Sequence, residues 1–236
     1  MDMDTARTLV GVLGNIISLI LFLSPLPTFI KIIQAKSVQA FKPDPYVATI
    51  LNCAVWMFYG LPIVHPDSLL VVTINGAGLA IETVFIIIFF IYSTWGGRRK
   101  ILIILFCEAV FVALVVVATL MCFDTYKDRS MVVGLIAIVF NILMYAAPLT
   151  VMRMVIKTRS VKYMPFSLSL ASFVNSIVWC VYALMPLDPY ILVPNGLGSL
   201  SAIVQLILYA TYYGTTNWDD DDDEKYDLQM SSTSKA

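Results

Sequence analysis

The chain has 236 residues, 59% of them hydrophobic and only 13% charged, with a formal net charge of −1. Soluble domains carry about 25% charged and about 45–50% apolar residues, so these figures exclude a soluble globular enzyme and, equally, a disordered chain. Seven of the 16 acidic residues lie in 219–227, leaving a mildly basic body with no block long enough to suggest nucleic-acid binding.

A helix needs about 20 mainly apolar residues to cross about 30 Å of hydrocarbon. Seven segments answer to this: 8–30, 45–63, 68–92, 101–123, 131–152, 166–185 and 190–213. The runs 84–92 and 110–120 do not alternate in polarity, which argues against barrel strands. The first segment is flanked by Asp2 and Asp4 and its apolar run is long, unlike a cleaved signal peptide. The loops after spans one, three and five hold Lys31, Lys36, Lys42, Arg98, Arg99, Lys100, Arg153, Lys157, Arg159 and Lys162, which are 10 of the 15 basic residues. Lysine and arginine favour the cytoplasmic side, so the amino terminus is expected outside and the carboxyl terminus inside. The four cysteines (Cys53, Cys107, Cys122, Cys180) stand singly in apolar runs and only one histidine is present, which argues against a zinc site or a disulfide framework. No cofactor is implied.

The chain also repeats itself. At an offset of 123, Val10-Gly11 falls on Val133-Gly134, Pro25-Leu26 on Pro148-Leu149 and Ser37-Val38 on Ser160-Val161. Asn52, Trp56 and Tyr59 fall on Asn175, Trp179 and Tyr182. After a three-residue deletion the third helix matches at 120, with Asn75-Gly76 and Gly78 on Asn195-Gly196 and Gly198. Chance matching of leucine-rich helices does not reproduce Pro, Asn, Trp and Gly in order over three spans. Three helices per copy would insert the second copy inverted, and the unmatched span 101–123 restores its direction. The expected fold is an all-α membrane protein of two parallel three-helix repeats and a linker helix. Its units are residues 1–100, linker 101–123, second repeat 124–214 and an acidic, disordered cytosolic tail 215–236.

These residues resemble the SWEET sugar transporters over roughly 8–214. The motifs are Gly14-Asn15, Leu23-Ser24-Pro25, Lys36-Ser37, Tyr59-Gly60-Leu61-Pro62, Thr73-Ile74-Asn75-Gly76, Ala147-Pro148-Leu149, Ser160-Val161, Met164-Pro165-Phe166 and Pro194-Asn195-Gly196. Parallel repeats are already known for that family. The resemblance implies a sugar substrate, alternating access and homo-oligomerisation. An integral membrane location, the plasma membrane in the first place, is the matching expectation.

Polar side chains inside a span are costly and mark candidate sites. Asn75 and Asn195 stand at repeat-related positions, and an amide both donates to and accepts from a hydroxyl. An interhelical hydrogen bond would account for one such Asn, but less readily for a symmetric pair. Trp56 and Trp179 offer faces on which a sugar ring stacks. Asn52 and Asn175 lie one turn earlier on the same helices, and Ser18 matches Asn141 at the same offset. The resemblance places all four pairs in a sugar pocket. It also puts Met144 where a smaller residue accompanies sucrose transport, so hexoses such as glucose are expected; simple packing of a flexible Met fits that position equally well. By the same resemblance Pro25, Pro45, Pro148 and Pro165 are hinges, and Tyr59 with Asp188 is an extracellular gate. His65 reads as an exposed loop residue. Glu82 and Glu108 are the acidic residues well inside spans; neither has an acidic repeat mate, which favours facilitated diffusion and a snorkelling or interhelical role for both. A seven-helix receptor shares the span number and orientation, but not the duplication. No paired Asp, His cluster or activated Ser supports an enzyme.

Overall fold

The computed structural model describes residues 2–218, and these are helical throughout apart from short connections. In chain order the helices are α1 (Met3–Leu23), α2 (Leu26–Ala35), α3 (Asp44–Gly60), α4 (Leu69–Tyr92) and α5 (Trp95–Cys122). They continue with α6 (Tyr126–Met144), α7 (Ala146–Thr158), α8 (Phe166–Leu184) and α9 (Pro189–Tyr212), followed by a 3₁₀ turn, Tyr213–Thr215. The nine α-helices of the described residues fall into the seven expected segments because two segments are broken; six of the segments are long and apolar enough to cross a membrane, and α3 is the shorter one. Pro25 has no N–H and its ring crowds the carbonyl four residues back. The chain therefore stops at Leu23, turns through Ser24, whose N–H bonds Leu21 O at 3.1 Å, and restarts with Pro25 as the N-cap of α2. Pro148 has the same effect one turn upstream of itself: α6 ends at Met144, and Tyr145 caps both α6 and α7.

The duplication extends to unusual backbone angles. Lys36 and Arg159, 123 residues apart, end α2 and α7 in the left-handed region with φ of 50° and 53°. Asp67 and Leu187, 120 apart, repeat this before α4 and α9 with φ of 61° and 45°. Neither pair contains glycine, so sequence composition does not announce these turns.

Packing arranges the helices in a closed ring, α1–α4–α3–α6–α9–α8 and back to α1. Each repeat has its third span between the other two, and the repeats meet along the α1/α8 and α3/α6 seams. Helix α5 lies outside the ring, against α3, α4 and α6. Only Ile101 and Thr119 of α5 are buried, while Phe106, Leu114 and Met121 face outward, as a lipid-facing linker requires. The α1/α8 seam is close because Gly14 lies under the Trp179 indole; a Cβ there would come within 3.0 Å of it.

The basic loops mark one end of the bundle, and the amino terminus marks the other. Helix α5 starts before the expected residue 101 and takes in Arg98–Lys100. Thr94 caps it, and Arg98 donates to the last carbonyls of α4, Phe90 O and Ile91 O, at 2.8 and 2.7 Å. A cation at a helix carboxyl end satisfies carbonyls that have no helical partner. The first residues of the tail expected from 215 are not disordered. Thr215 donates to Arg159 O at 2.7 Å, and the Thr216 hydroxyl accepts from Val161 N–H at 2.9 Å, so both belong to the folded body. Residues 219–236 of that expected tail lie outside the described residues.

Buried apolar side chains fall into clusters that follow the repeats unequally. At the amino-terminal end one cluster joins both halves: Val55, Trp56, Tyr59 and Ile74 with Val133, Trp179, Tyr182 and Ile191. At the basic end there are two. Phe29, Val47, Phe85 and Phe89 belong to the first repeat, and Val155, Val161 and Met164 to the second. Helices α2 and α7 pack on α4 and α9, each within its own repeat.

Candidate functional site

Asn75 and Asn195 are each the seventh residue of a 24-residue helix. Each directs one amide N–H to the carbonyl four residues back, Val71 O and Ile191 O, both at 2.8 Å. This bond fixes the side chain against its own helix and leaves the amide oxygen and the second N–H for a ligand. Both line a cavity of about 350 Å³, at the small end of the roughly 300–1,000 Å³ typical of ligand pockets. Asn52, Trp56, Asn175, Trp179, Ser18 and Asn141 line it as well. All four expected pairs therefore meet in one space, together with apolar Leu21, Phe22, Val71, Ile74 and Ile191. Met144 is outside the lining; it closes α6, half-buried, one turn beyond Asn141.

The two halves of the cavity are bonded differently. Ser18 donates to Asn175 Oδ1 at 2.7 Å and accepts from the Trp179 indole N–H at 3.0 Å. The repeat-related set is Asn141, Asn52 and Trp56, and there Asn52 Oδ1 is buried without a hydrogen-bond partner. A ligand hydroxyl finds an open acceptor on that side and a closed network on the other. Glu82 also lines the cavity and is 4% exposed, so it is held within the bundle and does not snorkel outward. Asn15, part of a resemblance motif, proves to be a tether: it donates to Gly11 O and Leu70 O and accepts from Thr73, tying α1 to α4.

Above the cavity, at the amino-terminal end, the Tyr59 hydroxyl lies 2.9 Å from both carboxylate oxygens of Asp188. Trp56 meets Tyr59 edge-on at 5.4 Å, and Trp179 meets Tyr182 edge-on at 5.3 Å, so each repeat supplies the same aromatic pair. Asp188 also caps α9, accepting from Tyr190 N–H and Ile191 N–H at 3.0 and 3.3 Å. His65 is not the exposed loop residue expected. Its ring stacks on Tyr59 at 4.7 Å, its Nε2 is 3.2 Å from Asp188, and its Nδ1 is 2.8 Å from Ser130 Oγ. Ser130 in turn donates to Val64 O at 2.8 Å. Burial pushes the Asp188 carboxyl up, but the hydrogen bond and charge of His65, with the Tyr59 hydroxyl and Ile191 N–H, outweigh it and hold the group below its ordinary value. No sequence signal pairs His65 with Ser130, because neither belongs to a matched repeat position.

The prolines fall at helix starts. Pro25 and Pro165 are the N-caps of α2 and α8, Pro45 is the second residue of α3, and Pro148 the third of α7. By cap position the mate of Pro165 is Pro43, the N-cap of α3.

Two like-oriented three-span repeats packed in a ring around a cavity lined by paired asparagines and tryptophans define a membrane carrier built on a parallel duplication. Comparison with known proteins is specific. A family model described as "Sugar efflux transporter for intercellular exchange" matches residues 8–95 and 131–217. The chain is 61% identical to the Bidirectional sugar transporter SWEET5 of Arabidopsis thaliana, over 95% of this chain and 93% of that protein. It is 55% identical to the Bidirectional sugar transporter SWEET7b of Oryza sativa subsp. japonica, over 90% and 80%. The structure of a eukaryotic SWEET transporter matches with a TM-score of 0.86 at 39% identity, covering 90% of this chain and 99% of that one. The chain belongs to the SWEET family of transporters.

Proposed function

We propose that the protein carries neutral sugars, hexoses such as glucose first, down their gradient by alternating access, with the basic loops cytoplasmic. The observation that carries this reading is the division of the core. One apolar cluster seals the two repeats together at the amino-terminal end, while at the basic end each repeat keeps its own. The cavity between them is thereby shut from outside by Tyr59, Asp188 and His65 and faces the cytoplasm. Rocking of the repeats about the Pro25, Pro45, Pro148 and Pro165 helix starts would join the lower clusters and part the upper one. The lining suits a polyhydroxylated ligand: amides that both donate and accept, indole faces, and no basic side chain. Glu82 has Ala202 as its repeat mate, so no symmetric carboxylate pair supports proton coupling. A plasma-membrane location and homo-oligomers remain part of the reading through the family.

The test is uptake of radiolabelled glucose, galactose, fructose and sucrose into liposomes containing the purified protein. Saturable hexose equilibration, unchanged by a proton ionophore, is the expected result. Accumulation above the external concentration that an ionophore collapses would overturn the facilitated mechanism. Absence of any sugar flux would overturn the substrate class.

A further inference from the structure

The cavity holds one charged side chain. Glu82 is the fourteenth residue of α4, seven residues beyond Asn75 and about 10 Å further along the helix at about 1.5 Å per residue. One of its carboxylate oxygens, Oε2, is buried without a hydrogen-bond partner. So is Oδ1 of Asn52, which lies about one helical turn above Glu82 and between it and Asn75, since α3 and α4 run antiparallel and pack where Cys53 approaches Gly78. Thr49, one turn from Asn52 toward the basic end, lines the same wall; its hydroxyl donates to Pro45 O at 2.8 Å and keeps its lone pairs free. The repeat-related positions are Ser172, Asn175 and Ala202. Of these only Asn175 lines the cavity, and its amide oxygen is already taken by Ser18. The first repeat thus carries a cluster of open acceptors that the second lacks.

Open acceptors in a buried wall call for a ligand that brings donors. A phosphate or carboxylate would be repelled by Glu82, and no basic residue lines the cavity to hold one. A neutral ligand with hydroxyl groups fits. A single pyranose ring held between Asn75 and Asn195 cannot also reach a carboxylate some two helical turns away. We propose that Thr49, Asn52 and Glu82 form a second sugar-hydroxyl station, on the cytoplasmic side of the paired asparagines and on the first repeat alone. The sugar donates hydroxyl protons to Glu82 Oε2 and Asn52 Oδ1 as it passes between the upper site and the cytoplasm. The path is therefore two-stepped and asymmetric although the scaffold is pseudo-symmetric. The proposal rests on the sugar-transport reading above.

The experiment is equilibrium exchange of glucose and of its singly deoxygenated analogues in liposomes containing the full chain, wild type against Glu82→Gln. Glutamine keeps an oxygen that accepts but not the charge, so the glucose KM of Glu82→Gln should rise about five- to ten-fold, the difference between a hydrogen bond to a carboxylate and one to an amide oxygen. For the analogue lacking the donated hydroxyl, wild type and variant should have the same KM, whereas a merely structural role would penalise every analogue alike. An unchanged glucose KM, or a uniform loss over all analogues, overturns the station. So does proton-driven sugar accumulation in the wild type that Glu82→Gln abolishes, since it assigns the carboxylate to proton coupling. Should Glu82→Gln elute as aggregate, Glu82→Asp, which keeps the charge and withdraws it by one methylene, is read against the same analogues. A wild type that exchanges no sugar at all refutes the sugar reading itself and is thus distinct from failure of the station.

Discussion

Replacing Tyr59 by Phe removes one hydroxyl from the outer closure and little else. The ring is fully buried, between Trp56 and His65, and phenylalanine keeps that packing. Only one proton is shared between the two oxygens of Asp188, so a single hydrogen bond to a charged acceptor is lost, worth about 1.5–3 kcal/mol. Asp188 still holds His65 and two N–H groups of α9. Its charge is therefore not orphaned, and the loss falls at the low end, about 1.5 kcal/mol. That corresponds to roughly a ten-fold shift of the conformational equilibrium away from the outward-closed form. Asp188→Ala is the poorer choice, because it also removes the α9 cap. Spin labels at Ile63 and Leu184, both exposed and on opposite repeats, report the gap directly once the exposed Cys107 and Cys122 are changed to Ser. A longer-distance population should grow about ten-fold in Tyr59→Phe. A distance distribution identical to that of the parent, in a protein that still transports, would refute the latch.

Asn75→Ala or Asn195→Ala should abolish sugar flux with near-normal surface expression; wild-type uptake by both variants would remove the pair from the site. A carboxylate held low by its partners stabilises the closed state above its unpaired pKa and ceases to do so as pH falls through the paired value. The same spin-label distance should therefore stay short from neutral pH to below the ordinary aspartate value of about 3.9, and lengthen only beneath it. In His65→Asn that opening should move to higher pH, and an unmoved transition would detach His65 from Asp188. Met144→Val shortens a side chain one turn beyond Asn141, outside the present lining, and gives the lower end of the cavity room to relax. The net loss is one sulfur atom, similar in size to a methylene, and a methylene alters discrimination by about 1–3 kcal/mol, so sucrose flux should become measurable while glucose flux is kept. Sucrose uptake equal to that of empty liposomes, in a variant that carries glucose, would mean that Met144 only packs the bundle.

The sequence by itself determined the spans, their duplication and the pairing of the cavity residues. Hydropathy is a property of contiguous residues, since a helix in lipid satisfies its own backbone, and a duplication appears as matched residues at a fixed offset. Asn75 with Asn195 and Trp56 with Trp179 are thus related by one axis in the sequence itself. Pro25 and Pro148 likewise marked the breaks, because a missing N–H disrupts a helix wherever it stands. The tertiary structure alone decided what departs from that symmetry. Ser18 rather than a ligand occupies Asn175, Asn52 stays open, and Glu82 enters the cavity wall. It also joined His65 to Asp188 and Ser130 across 123 and 65 positions. Such contacts depend on how two rigid halves are tilted against each other. That tilt is set by the balance of packing at the two ends of the bundle, a sum over many residues, and no local pattern encodes it.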